Sequence, residues 1–477
     1  MMNNSKIAVF ISSEIAGVWI EKIVKIFNNN LTIYLVPEPS LSFLNIFFLK
    51  LNYLIFGKPN TLQTTSLKLL ALPKNLENLN SYDYFINFSN FNLSSFTNKN
   101  KLLKILTVEV SLRNIIYNTI NDYKKVNFFI TDGVIAHKSS VRFHPLSVSK
   151  NVNLTLHSII DLLEVYFLKE GFKVEKGLIK QGGSIKFKQY IAYFIRLIKK
   201  IVSVTFYNDQ WVLGYSFKEK PLDNLLKNPQ IIPPKDRFWA DPIIVKEKGI
   251  IYVFIEELIY TNKRAHLSVF ILNKDGSYSL PKIILEKPYH LSYPYVFKHK
   301  ETFYMIPETA NNNDIQLYES ISFPYEWKLV KILIDDIEAS DVSLFFHNNK
   351  WWMFTSVRKH KYSSYDNDLS IFYSEELISS NWKPHKQNPI KKDISNARQG
   401  GTFIKGENNI RVSQNGENSY GYGFNLNKIL HLSENSYKEE LIYKFIPEDK
   451  KIKGIHTYCQ LSDVAVYDIL TKRSKFI

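Results

Sequence analysis

The chain has 477 residues, 45% of them hydrophobic and 22% charged, with one cysteine and a formal charge of +16. That balance excludes a disordered chain, the length calls for two domains rather than one core, and the lone Cys459 excludes an internal disulfide framework and fits a reducing compartment. The charge permits anionic partners, but without an arginine-rich stripe, zinc spacing or RNA-binding signature nucleic acid is not expected among them. There is no run of 18 apolar residues, and the opening MMNNSKIAVFI is too short in apolar residues for a signal peptide. The expected location is therefore the cytoplasm, with room for peripheral contact at the inner face of an anionic membrane.

Residues 6–11 (KIAVFI) read as a buried strand. Residues 16–28 read as a helix with Val18, Ile20, Ile23 and Ile26 inward, and 31–36 (LTIYLV) as a second strand. Short apolar runs at 83–88, 105–110 and 127–130 alternate with helical segments, so the first domain, residues 1–182, is expected to be α/β with a mainly parallel sheet. The loop SSEIAG after the first strand has one glycine and is no dinucleotide fingerprint. Residues 40–56 are greasy but carry Asn45, Lys50 and Asn52, which reads as a packed or partly buried helix; residues 153–170 form another amphipathic helix. Residues 183–205 hold a helix with apolar residues at helical spacing among Lys186, Lys188, Arg196, Lys199 and Lys200. Its stripe can pack between domains or lie on anionic lipid.

From residue 206 the pattern changes. FYNDQWVLGYSF reads as a strand able to close a ring, and RFWADPIIVKEKGIIYVFIEE as a hairpin of two apolar runs around a Lys/Glu/Gly turn. The hairpin recurs. Tyr293 falls 52 residues after Asp241, Tyr304 after Tyr252 and Glu308 after Glu256; a further 48 places Asp341, Trp352 and Ser356. Another 58 brings Gln399, Phe403 and Gln414, and a shortened copy starts near His456. HLSVFILN, DIQLYESI, LSIFYSEE and YGYGFNLNKI supply outer strands. A four-strand unit repeating about every 50 residues predicts an all-β, five-bladed propeller over 206–477. The adjacent Trp351 and Trp352 should face opposite sides of their blade.

The end of each second strand lies beside the start of the first, and inner strands face the channel. Asp241, Glu256, Glu308, Asp341, Arg398, Gln399, Gln414 and His456 should therefore converge on one channel mouth, a setting for a polar ligand. An inner strand opening with Asp-Pro in a five-bladed propeller resembles family 43 glycoside hydrolases and their levansucrase and invertase relatives. FWADP, HLSYPYVF, YMIPET, the WW-containing third blade, ARQGG and GIHT more specifically resemble the propeller of plant glucosamine inositolphosphorylceramide transferases, and of bacterial proteins joining it to a formyltransferase-like domain.

The hydrolase resemblance implies Asp241 as base or nucleophile, but this chain has Tyr293 and Asp341 where those enzymes place an aspartate and a glutamate, leaving Glu308 as the alternative acid. The expected catalytic set is Asp241, Glu308 and Asp341. Substrate binding is expected at Arg237, Trp239, Glu256, Tyr293, Arg398, Gln399, Gln414 and His456, with no metal and no cofactor. In the formyltransferase resemblance the histidine word is replaced by Ile105–Ser111, Asp132-Gly133 keeps the aspartate, and His144-Pro145-Leu146-Ser147 is a loop. The expected function is thus carbohydrate chemistry of surface polysaccharide or glycolipid biosynthesis, with glycosyl transfer on a sugar or sugar-nucleotide substrate first. Glycoside hydrolysis or non-catalytic glycan binding is the alternative, and formyl transfer is not favoured.

Overall fold

The computed structural model describes residues 7–476 except 14, 18, 27–30, 37–40, 64, 66–69, 72–83, 89–103, 108–110, 132–135, 169–183, 218–221, 223–224, 359–364, 405–408 and 450. Two compact units divide it, Met1–Lys200 and Ile201–Ile477.

In the first unit the sheet is built from β1 (Ile7–Ser12), β2 (Leu31–Val36), β3 (Leu70–Ala71), β4 (Tyr84–Phe88), β5 (Lys104–Thr107), β6 (Lys125–Thr131) and β7 (Ala136–Arg142), in the order β3-β2-β1-β4-β5-β6-β7. The pairs among β1 to β5 are parallel, and β5-β6 and β6-β7 are antiparallel. Helices α1 (Ile20–Ile26), α2 (Phe43–Phe56), α3 (Leu112–Ile120) and α4 (Val148–Leu168) accompany it, and α5 (Phe187–Phe206) begins in this unit. Ile20 and Ile23 are buried as their spacing requires, while Val18 and Asp132-Gly133 lie outside the described residues. Of Ile105–Ser111, residues 105–107 fall in β5 and 108–110 are outside the described residues. His144 is in a loop, where its Nδ1 accepts the Leu146 and Ser147 backbone N–H groups just before α4. Burial, helped by Lys150, Lys200 and Lys124, pulls its pKa down to about 4, so it serves as a neutral acceptor.

The second unit is a ring of five sheets. Blade one runs Arg237–Glu247, Ile250–Ile259, His266–Leu272 and Lys282–Leu285; blades two and three open with the hairpins Ser292–His299/Thr302–Glu308 and Ala339–His347/Lys350–Val357. Blade four carries Ile410–Asn415, Gly423–Leu432 and Tyr437–Phe445. Blade five joins Tyr458–Gln460 and Ala465–Ser474 to Tyr207–Ser216 and Gln230–Ile231, so a strand that precedes blade one closes the ring against the last repeat.

Five apolar clusters hold the ring, one in each gap between neighbouring blades. Side chains alternate across a strand, so each blade feeds two gaps. Trp351 enters the gap between blades two and three, and Trp352 that between three and four.

The three repeat positions at the head of blades one to three share a backbone device. Between Ala240 and Ile243, Ser292 and Tyr295, and Ser340 and Ser343 the register slips by one residue. At each slip the first extra residue is left-handed: Asp241 at φ 50°, Tyr293 at 44° and Asp341 at 52°. That conformation is costly for a non-glycine residue, so three such bulges at equivalent places mark a site where side chains are re-aimed.

Candidate functional site

The bulged residues turn towards one another around the channel. The Asp241 carboxylate accepts the Tyr293 backbone N–H at 3.2 Å and the Thr457 hydroxyl at 2.7 Å, while its own N–H donates to Asp468 at 3.2 Å. Blades one, two and five are thus tied by one side chain. Tyr293 reaches further. Its hydroxyl accepts the Gly401 N–H at 3.0 Å and donates to the Gly401 carbonyl at 2.8 Å, linking blade two to blade four. Gly401, at φ 146°, lies so close to the Tyr458 carbonyl that a Cβ would stand 2.0 Å from that oxygen, so only glycine fits.

On the blade-five side, His456 Nδ1 is 2.5 Å from the Asp468 carboxylate and Nε2 is 3.6 Å from Asp241. Asp468 also accepts the His456 and Thr457 N–H groups, and the Trp211 ring stacks on the imidazole at 4.1 Å. Burial opposes charge on His456, but Asp468 and Asp241 outweigh it and lift its pKa to about 9. Asp241 moves the other way from a free carboxylate: burial, reinforced by Glu256, Asp341 and Asp468 against His456, raises it to about 7.

A second cluster spans blades two to four. Arg398 forks onto Asp341, with Nε at 2.5 Å and an Nη at 3.2 Å from its two oxygens, and its other Nη donates to Asp366 at 3.0 Å. Gln414 donates to Asp341 at 2.9 Å, and the Asp341 N–H reaches Glu308 at 3.3 Å. Asp341 is 1% exposed, whereas Glu308 keeps 14% and Arg398 11% of its side chain open to solvent. Burial and the neighbouring Asp341 hold the Glu308 carboxyl well above the usual range despite Arg398 at 3.8 Å. Tyr420 lies at the lip, under the Arg398 guanidinium and edge-on to His456. Across from them Glu256 pairs with the half-buried His290 at 3.2 Å.

Of the residues picked from sequence, Asp241, Tyr293 and His456 form one cluster and Glu308, Asp341, Arg398 and Gln414 a second; Tyr420 touches both, and Glu256 meets the first through its charge on Asp241. Three stand elsewhere. Trp239 pairs with Glu257 across the strand, its indole donating to that carboxylate at 3.0 Å, and is packed between blades five and one; no face is left for stacking a sugar at the channel. Arg237 is held by Glu257 and Asp236, and with Trp239 it borders a separate recess of roughly 630 Å³. Gln399 is fully buried and its carbonyl accepts from Arg411, itself clamped by Glu439, so it belongs to the blade-four scaffold. Asp468, Trp211, Tyr420, His290 and Asp366 were not singled out from sequence, since they stand off the aligned hairpin heads.

Asp241, His456 and Asp468 have ligand atoms within 4.8 Å of one another, the donor set of a cation site. Their atoms are engaged with each other, and a cation there would have to displace the proton that Asp468 and Asp241 favour on His456. That preference gives a pH test. A raised histidine stabilises the fold below its unfolded value near ~6.5, and the contribution fades as pH climbs through about 9. The melting temperature of wild type should therefore fall between those limits more steeply than that of His456→Gln; parallel curves would refute the charged pair.

The fold and the two clusters define a five-bladed propeller whose channel mouth is lined by buried carboxyls, a guanidinium and an imidazole. Residues 231–466 match the family model described as glucosamine inositolphosphorylceramide transferase 1, N-terminal. Glucosamine inositolphosphorylceramide transferase 1 of Oryza sativa subsp. japonica is 33% identical over 218 residues, 45% of this chain and 29% of that protein; the Arabidopsis thaliana protein is 29% identical over 206 residues, 42% and 27%. The chain thus spans less than a third of these relatives. Among solved structures, a family 117 glycoside hydrolase from Zobellia galactanivorans aligns with 55% of this chain and 90% of its own at 10% identity and TM-score 0.36. An exo-1,5-alpha-L-arabinanase from a bovine ruminal metagenomic library gives 50% and 92%, 14% and 0.35.

Proposed function

We propose that the propeller mouth binds a sugar or sugar-nucleotide group and that the protein acts in surface polysaccharide or glycolipid biosynthesis, with glycosyl transfer as its reaction. The observation that carries this reading is the pair of carboxyls, Asp241 and Glu308, both raised and each beside a cation, His456 and Arg398, with small parts of the Glu308 and Arg398 side chains reaching solvent. A carboxyl raised towards neutrality can take the proton of an acceptor hydroxyl as the nucleotide leaves in transfer, or give a proton to the leaving oxygen in hydrolysis, and a guanidinium beside it can receive a phosphate or a sugar carboxylate. The family match supports a carbohydrate substrate. Glycoside hydrolysis is the second reading, favoured by the same two carboxyls. We read the N-terminal unit as formyltransferase-like on its parallel strand–helix–strand start, without the histidine word that formyl transfer needs.

A thermal-shift series against sugar nucleotides and free oligosaccharides tests this, with wild type beside Asp241→Asn, which keeps an acceptor for Thr457. A ligand at about 100 times its dissociation constant adds roughly 2.7 kcal/mol, worth about 5 °C or more at this size. Transfer predicts a shift with a sugar nucleotide that is lost in the variant. A shift with oligosaccharides alone, with turnover, moves the reading to hydrolysis; no shift with either, or an unchanged response in the variant, overturns the site.

A further inference from the structure

Helix α2 and the part of α5 that lies in the first unit leave large apolar side chains in water. On α2, Phe43, Phe47 and Leu54 lie along one stripe and are 80%, 58% and 82% exposed. On α5, Phe187, Ile191, Ile195 and Ile198 follow at intervals of four, four and three, each about half exposed or more, beside the buried Tyr190 and Tyr193. The helices are fastened side by side. Tyr190 donates to Asn45 at 2.5 Å, Asn52 donates to the Tyr193 hydroxyl at 2.9 Å, and the Phe48 ring meets both tyrosines. Both stripes therefore lie outward from one rigid pair.

The charge that the two helical segments themselves carry has a single sign; the acid beside them is Asp122, which faces Arg196 at 4.0 Å. Residues 41–63 and 184–207 contain no acid, while Lys50, Lys58, Lys186, Lys188, Lys199 and Lys200 are all exposed. A helix of 14 residues is about 21 Å long, too short for a bilayer core of about 30 Å, and no helix among the described residues is long and apolar enough to cross a membrane. A second copy of the chain fits poorly, because a two-fold contact lays the same patch on itself and would bring lysines against lysines.

We propose that the paired outer faces of α2 and α5 form an interfacial docking surface for an anionic lipid bilayer, with the apolar stripes inserted among the headgroups and the lysines on the lipid charge. This is independent of the propeller pocket. The experiment is co-sedimentation of the full chain with phosphatidylcholine vesicles with and without phosphatidylglycerol, whose negative surface attracts clustered lysines. Wild type should partition to the anionic vesicles about tenfold or more over the neutral ones, and less as salt rises. Phe47→Ser/Leu54→Ser/Ile195→Ser should lose about tenfold with an unchanged melting temperature, since those side chains are already exposed, and Lys50→Gln/Lys199→Gln/Lys200→Gln should lose the preference for anionic lipid. Equal binding to both vesicle types, no binding, or vesicle binding indifferent to both triple variants overturns the proposal; so does a concentration-dependent dimer of wild type that the serine variant abolishes, which would assign the face to a second copy.

Discussion

Arg398→Met should lower the melting temperature of the propeller by roughly 10 °C at neutral pH. The guanidinium is the cation shared by Asp341, Asp366 and, at longer range, Glu308, and Asp341 is almost wholly enclosed. Removing one partner of a buried pair leaves charge with no water and no counterion, which costs about 3–5 kcal/mol, and at ~2–4 °C per kcal/mol for a unit of this size the loss is large. Gln414 offsets it only in part, with one neutral donor to Asp341. The pH dependence gives the cause. Carboxyls left without a cation have raised values in the folded variant, so its stability is lost as pH rises above about 4. The deficit against wild type should therefore shrink on acidification. Arg398→Lys keeps the charge but cannot fork, and should fall between the two. A deficit that is flat from pH 4 to 8, or equal in Met and Lys variants, would mean that Arg398 acts by packing.

Much of this site was legible because the repeat carries a backbone conformation as well as letters. Asp241, Tyr293 and Asp341 were aligned by spacing alone, across three different side-chain chemistries, and all three are left-handed residues of the same bulge. The partners at the ends of the second strands followed from antiparallel geometry, which sets Ala240 beside Glu256 and Ser292 beside Glu308. Alignment failed where the repeat is not a regular hairpin. Blade four pairs its innermost segment through isolated bridges such as Gln399 to Ser413, so the side-chain alternation expected of a strand did not predict that Gln399 would turn to Arg411. Trp239 and Arg237 precede the bulge, and Glu257 across the strand claims both. Trp211 and Asp468 had no signal of this kind, because the strand that brings Trp211 onto His456 comes from more than 240 residues earlier in the chain. The outer faces of α2 and α5 were visible as composition, whereas their exposure and their pairing through Asn45, Asn52 and Phe48 needed the coordinates.

On a substrate whose leaving oxygen needs a proton, Glu308→Gln should reduce turnover by about 10²- to 10⁴-fold, with little change in KM. The reasoning rests on what the two raised carboxyls can do. Asp241 is 5% exposed and tied to Tyr293 and Thr457, so its reach into the mouth is short; Glu308 keeps 14% of its side chain in solvent, has its carboxyl pushed well above the usual range by burial and Asp341, and has Arg398 beside it to stabilise charge once the proton leaves. A group that enters neutral and leaves charged next to a fixed cation is the arrangement of a general acid. The amide that replaces the carboxyl would keep the size and one hydrogen bond but has no proton to give. Wild-type turnover should consequently decline as pH rises through the value at which Glu308 ionises, and that limb should be missing in the variant. Substrates with a leaving group that needs no protonation should recover most of the rate. If KM rises while kcat holds, or if the alkaline limb persists in Glu308→Gln, Glu308 positions substrate and the proton must come from another group, with His456, whose pKa of about 9 keeps it charged at neutral pH, the next candidate.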